Sequence, residues 1–548
     1  MIGKPVDEVQ RAVPDETSDR STLDLADDLP QARVLTAKDV EGLLEELAAY
    51  HREFAPLFKR SEQRASAEVY LRGLLTAEVP RKNVEAMVLR LSGAGEDADR
   101  RVRAVQQFVG EGAWDDQAIL AKHQSLVDES LGQDDGVFII DGSDFAKQGK
   151  HSAGVARQWC GATGKKDNCQ AGVFLGYASR KGYTLLDRRL YLPESWFRED
   201  HQELRKKTHI PEETKFQTKH ELAGELVEKL VKARCVRGRW VVCDEGYGDD
   251  FGLLDRWAGL GLWYLAEVPK DTRVWSLVEP DGQARAMPTT WVKPHTPSRK
   301  GKVPTRERVH PDSPEKVVLE VFADEVPEAK WQRFRMLEGA KGPLVCDFVA
   351  FRAVVARDKL PGPEGWVLIR RHVPGFGAEE APKYKYYLSN APLSTPLEEL
   401  VRVCGMRWPI ESAFEESKAE LGLDEYELRF YRGWHHHMTL VILAHHFLVR
   451  LQARLQEELQ ARLDRDLGPR EGAEGAARRI AGREFGDKAG DGGEPSGPEA
   501  DSRSEAQSGR GAAAPAGAAA RADVRPRGGA GAGELPPAPQ GCFLPLAS

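Results

Sequence analysis

Two apolar runs set far apart in the chain each give way to an aspartate: GVFIIDGSDF at 136–145 and RWVVCDEGYG at 239–248. Neither run alternates polar and apolar residues, so neither suits a strand with one wet face. Runs of this kind belong in central strands that are covered on both sides. Between them lie NCQAGVFLGYAS and GYTLLDRRLYLP, two more strand-like stretches bounded by Gly-marked turns. With the first run they predict a three-stranded antiparallel meander. A helical period follows at about 216–233 and leads into the second run. Three antiparallel strands, a helix and a strand tipped by a carboxylate predict a mixed α/β layer. Its site is expected at strand ends, at Asp141 and Asp244.

The flanking sequence divides by composition. Residues 1–36 are acidic, Pro-containing and weakly periodic, which predicts a flexible leader. From 37 to 128 apolar residues recur at three- and four-residue spacing, as in VEGLLEELAAYHREFAPLF and SAEVYLRGLL, which predicts a small helical domain. Lys59, Arg60, Arg64, Arg72, Arg81 and Lys82 gather there, either as a basic edge that holds a duplex or as solvated helix faces. The core then runs over 129–259, and 260–395 turns strand-rich (GLWYLAEVPK, EKVVLEVFA, WVLIRRHV, KYYLSN). This stretch carries a basic loop with Lys293, Arg299, Lys300, Lys302, Arg306 and Arg308, a phosphate track or a solvated loop. The helical period returns over 396–465. The remainder, 466–548, is Gly/Ala/Arg/Pro-rich with two aromatics, Phe485 and Phe543, too few to offset the entropy of ordering, so disorder is expected.

Composition removes several function classes. A net charge of −8 provides no global attraction to nucleic acid, so such binding must come from local patches. Seven scattered cysteines include no CxxC pair, which argues against a zinc ribbon or a disulfide framework and fits a reducing cytosol. No apolar run approaches 18 residues and the first residues lack a signal-peptide core, so a soluble intracellular protein is expected. GATGKK lacks the P-loop spacing, and the histidines of WHHHMTLVILAHHFL lack HExxH spacing or a Cys partner, which favours helix packing over metal binding.

A third carboxylate sits in VRVCGMRWPIESAFEESK at 401–418. Pro409 suits the first position of a helix, and Glu411 then lies in its first turn, where the helix dipole favours an acid whatever else it does. Ile410, Ala413, Phe414, Ser417 and Leu421 form the expected core-facing stripe, with Glu411, Glu415 and Lys418 on an adjacent face. Taken singly, Asp141, Asp244 and Glu411 are ordinary caps or turn formers. Converging, they would form an oxygen-only site for Mg²⁺, with Arg407 and Lys418 placed to grip phosphates.

The spacing Arg407–Glu411–Lys418 resembles the YREK signature of cut-and-paste DDE transposases from bacterial insertion sequences (IS-four superfamily, seven-zero-one-like group). RWPIESAFEESKAELGLDEYELRFYRGWHHHMTLVILAHHFL, FAKQGKHSAGVARQWCG, NCQAGVFLGYAS, LYLPESWF and CDEGYG are similar to that group in wording, and the resemblance spans about 40–450. It implies an α/β, ribonuclease-H-like catalytic core with a β-rich insertion, preceded by a helical DNA-binding domain. Catalytic and metal-binding Asp141, Asp244 and Glu411 would then hold two Mg²⁺ ions, with Mn²⁺ able to substitute. Arg407, Lys418, Lys300 and Lys302 would bind DNA phosphates, and Trp263, Trp275 or Trp291 would be the aromatics to consider for a flipped base. The partners implied are double-stranded DNA (terminal repeats and target) and further copies of the chain, with no membrane, at the bacterial nucleoid. The chain departs from the group in reading IDG where members have IDD, with Asp144 nearby, and in carrying Cys404 where the signature has Tyr. A decayed copy acting as a repressor, or a metal-dependent nuclease without strand transfer, are the competing functions.

Overall fold

A computed structural model describes residues 22–25, 43–76, 79, 81–292, 307–339, 342–373 and 383–467. Most of the 1–36 leader, the loop bearing Lys293, Arg299, Lys300, Lys302 and Arg306, and the tail from 468 onward lie outside the described residues. Within the leader, Thr22–Asp24 forms a short strand, β1.

Helices α1 (Leu44–Phe54), α2 (Ser61–Leu74), α3 (Val84–Ser92), α4 (Ala98–Gly110) and α5 (Asp116–Leu131) occupy the stretch expected to be helical. Side-chain caps start two of them: Asn83 accepts from the Ala86 N–H, and Asp115 from Gln117 and Ala118. The meander follows as β2 (Val137–Ala146), β3 (Ala156–Cys160), β4 (Lys165–Ser179) and β5 (Gly182–Tyr191). Next come α6 (Gln202–Lys207), α7 (Lys219–Ala233), β6 (Trp240–Cys243), α8 (Glu245–Gly248), α9 (Phe251–Gly259) and β7 (Trp263–Val268). A Thr218–Glu221 capping box starts α7.

The strand-rich stretch continues as β8 (Arg273–Ser276), β9 (Thr290–Val292), β10 (Glu307–Val309), β11 (Val317–Val318), α10 (Leu319–Glu325), β12 (Gln332–Gly339), β13 (Gly342–Arg357), β14 (Leu360–His372) and β15 (Tyr384–Ser389). Helices α11 (Leu397–Gly405), α12 (Trp408–Leu421) and α13 (Tyr431–Leu467) close the described chain. EKVVLEVFA, expected to be a strand, is one only at Val317–Val318 and then turns into α10. Its Leu319, Phe322 and Ala323 are buried, a helical three–four spacing that a short apolar run hides.

β2 pairs antiparallel with β4, and β4 with β5, as the meander requires. β6 then lies parallel to β2 on its other side, and β7 parallel to β6. The order β5–β4–β2–β6–β7, with α7 crossing between β5 and β6, is consistent with a ribonuclease-H-like core. β7 lies within the 260–395 stretch yet pairs directly with β6. Beyond β7 the strands β15, β14, β13, β12 and β1 carry the same sheet onward, to 13 strands among the described residues.

Alternation along β2 explains why the sheet is covered on both faces. Val137, Ile139 and Phe145 join a core with α12 and α13, while Phe138 and Ile140 join one with α7 and α9. The N-terminal helices share the first of these cores, with Phe54, Tyr70, Phe108 and Trp434 in one apolar cluster. The histidines of α13 pack as expected. His436 stacks on Trp114 at 3.7 Å, and His437 receives the Tyr70 hydroxyl at 2.8 Å. No helix among the described residues is long and apolar enough to cross a membrane.

Candidate active site

The parallel pairing of β2 with β6 ends at Ile140 opposite Cys243. Asp141 and Asp244 are the next residues on strands about 4.8 Å apart, so they stand side by side at the strand ends. β2 itself does not stop at Asp141. Residues 141–146 remain paired with 169–174 of β4, so the carboxylate marks the end of the parallel ladder and not of the strand. Asp244 caps α8, accepting from the Tyr247 N–H at 3.3 Å. The Gly142 N–H bonds Asp141 at 2.7 Å.

Glu411 comes to this edge on α12. The helix starts at Trp408, so Pro409 takes its second position and not its first, and Glu411 remains in the first turn. Ile410, Ala413, Phe414, Ser417 and Leu421 are all buried, the stripe read from the sequence. Phe414 meets Phe174 of β4 edge to face at 5.1 Å, which seats α12 over the strand facing Asp141. Arg407 joins the carboxylates: its guanidinium bonds Glu411 at 2.5 Å and lies 3.7 Å from Asp141.

Burial and like charge dominate the electrostatics. Burial first, and the neighbouring Asp244 next, push the Asp141 carboxyl up to about 7, with Arg407 and the Gly142 N–H pulling the other way. Burial likewise raises Asp244, against Arg407. Two half-buried carboxylates that resist ionisation and offer only oxygen are chemically suited to a hard divalent cation. In the arrangement described, the positive charge is the guanidinium of Arg407. No three His, Cys, Asp or Glu side chains among the described residues converge as a metal-binding group.

The other sequence candidates fall in different places. Lys418 lies over the Phe145 ring at 5.9 Å, four residues along β2 from Asp141. Lys300 and Lys302 lie outside the described residues. Trp275 is buried under Lys316, Trp263 packs edge to face on Trp240 at 5.3 Å, and Trp291 sits half-buried on β9 beside His310. Lys82 is no part of a basic edge. Its buried ammonium donates to the Leu74 and Thr76 carbonyls at 2.5 and 2.8 Å, and burial brings its pKa down to about 8.

Three residues at the site were not among the candidates. Glu267 follows Ala266, the partner of Cys243, and so continues the row Asp141, Asp244 onto β7. It is buried and paired with Lys385. WYLAE, an apolar run ending in an acid, carries the same signal that marked the two aspartates. Tyr247 brings a buried hydroxyl with no hydrogen-bond partner among the described residues, close to Gly142, where an added Cβ would come within 3.9 Å of it. Tyr387 of β15 lies near Cys404 and Arg407.

A mixed α/β sheet of this order is consistent with a DDE, ribonuclease-H-like nuclease. A family profile described as DDE superfamily endonuclease matches residues 53–343, more than half of the sequence, and the chain belongs to this family. The matched stretch includes Asp141 and Asp244 and stops short of Glu411. No curated protein matches the chain.

Proposed function

We propose that the protein is an insertion-sequence transposase of the YREK-signature group. It would cut DNA at the ends of its element in a divalent-metal-dependent reaction and join the freed 3′-hydroxyl to target DNA. The observation that carries this reading is the pair Asp141 and Asp244 on adjacent parallel strands, with Glu411 linked to it across Arg407. In this reading Asp141, Asp244 and Glu411 hold two Mg²⁺ ions, for which Mn²⁺ substitutes. Bound there, the ions would supply nucleophile activation on one side of a scissile phosphate and stabilise the leaving oxygen on the other.

The chain's own residues have separate tasks. Arg407 neutralises Asp141 and Glu411 until a cation does so, after which its planar fork is available for a phosphate. Lys418, together with Lys300 and Lys302, holds the strand by its backbone charge. The helices of 37–128 grip the duplex, and a multimer at the nucleoid pairs the two element ends.

The test is to incubate the protein with DNA from an end of its element and Mg²⁺ or Mn²⁺. Nicking that exposes a 3′-hydroxyl, followed by joining to a second duplex, is expected. Binding without any cleavage would make the protein a repressor, and cleavage without joining would make it a nuclease.

A further inference from the structure

Trp159 is 60 % exposed, while Trp196, Trp240, Trp257, Trp275 and Trp434 are fully buried. A single exposed apolar side chain is ordinary; its setting is what distinguishes this one. Trp159 sits on β3 at the tip of the β3–β4 hairpin, directly opposite Lys166. Arg157 is exposed on the same side of β3, two residues back, opposite Asn168. The tip carries Arg157, Lys165 and Lys166 against one acid, Asp167, which is already bonded by Lys165 at 3.7 Å and by the Asn168 N–H at 2.9 Å. Among the described residues, neither Arg157 nor Lys166 closes an ion pair and no ring stacks on Trp159.

The tip is also anchored close to the carboxylates. The Gly161 N–H, two residues after Trp159, donates to Asp144 at 2.7 Å. Asp144 is three residues along β2 from Asp141, about 10 Å at strand rise. Asn168 further ties the loop after β2 by donating to the Gly149 carbonyl at 2.9 Å.

The geometry points to a stacking platform for an unpaired DNA nucleotide, made by the Trp159 indole and flanked by the Arg157 and Lys166 cations. An exposed flat ring set among unpaired cations is the combination that binds single strands, because every base has a face to stack and every nucleotide a charge to hold. A blunt duplex keeps its bases stacked inside and offers this ring nothing, so the platform selects unpaired strand next to the cutting site. The inference rests on the reading of the protein as one that acts on DNA.

The test uses the full chain and fluorescence anisotropy with a labelled oligothymidylate and, separately, a blunt duplex. Trp159→Ala is expected to weaken oligothymidylate binding about tenfold. Trp159→Phe should restore most of it, and duplex binding should change less than about twofold. Arg157→Ala with Lys166→Ala should flatten the salt dependence of single-strand binding. The melting temperature of Trp159→Ala should match the wild type, since the ring is open to water. Equal oligothymidylate affinity for Trp159→Ala and wild type would overturn the platform, as would parallel losses for both DNAs. Cleavage by the wild type at an element end is read separately. Nicking with unchanged single-strand binding by Trp159→Ala sinks the platform alone, whereas Trp159-dependent binding without nicking sinks only the transposase reading.

Discussion

At the scale of single residues the most informative group is Asp141, whose carboxyl is pushed up to about 7 from an ordinary 3.8. An acid raised by folding stabilises the fold while protonated. That contribution is full below the unfolded-state value near 4 and is lost as pH rises through about 7. The shift corresponds to roughly 4 kcal/mol as an upper bound. Asp141→Asn should therefore flatten the decline in melting temperature between pH 4 and 8 in metal-free protein. Adding Mg²⁺ or Mn²⁺ to the wild type should raise the melting temperature more at pH 8 than at pH 5, because cation and proton compete for the same oxygens. A cation response that is equal at both pH values would remove Asp141 from the metal site. Arg407→Ala should deepen the metal-free pH decline, since it strips the charge that now lies 3.7 Å from Asp141 and 2.5 Å from Glu411.

At the scale of elements, α12 is the piece that brings Glu411 to the strand ends, and its grip is the buried stripe around Phe414. Phe414→Ala should cost about 3 kcal/mol, visible in chemical denaturation, and should slow cleavage by letting the helix shift from Phe174. Much at this scale was legible in the sequence. The α12 stripe and the crossover helix each show a helical period, and the meander shows as apolar runs between Gly-marked turns. Asp141 and Asp244 were legible too, because an apolar run has to end somewhere and ended both times on an acid. Three other features were hidden for physical reasons. The α10 helix occupies an apolar run too short to separate the two periods. Lys82 is buried because two backbone carbonyls receive its ammonium, a partnership no local pattern announces. Tyr387 comes to the site through a pairing far apart in sequence, β15 beside β7, whereas Glu267 carried the same signal as the two aspartates.

At the scale of the molecule, the strands that carry Asp141 and Asp244 and those of 332–389 belong to one sheet. The strand-rich stretch thus continues the sheet that carries Asp141 and Asp244. Asn390 fastens the junction: its side chain accepts from the Tyr264 N–H at 2.7 Å and donates to the Leu262 carbonyl at 3.0 Å. Asn390→Ala, which leaves both backbone groups unpartnered, should cost about 1–3 kcal/mol. Calorimetry should show one transition moved down, not two transitions, because a continuous ladder melts as a unit. The central claim is that Asp141, Asp244 and Glu411 act together on one phosphate, and the direct measurement is single-turnover nicking of an element end by Asp244→Asn and Glu411→Gln. Each is predicted to lose at least about a hundredfold in rate while DNA affinity stays near wild type, as expected for removing a ligand to ions that stabilise the transition state. Nicking at the wild-type rate by either variant would contradict the account.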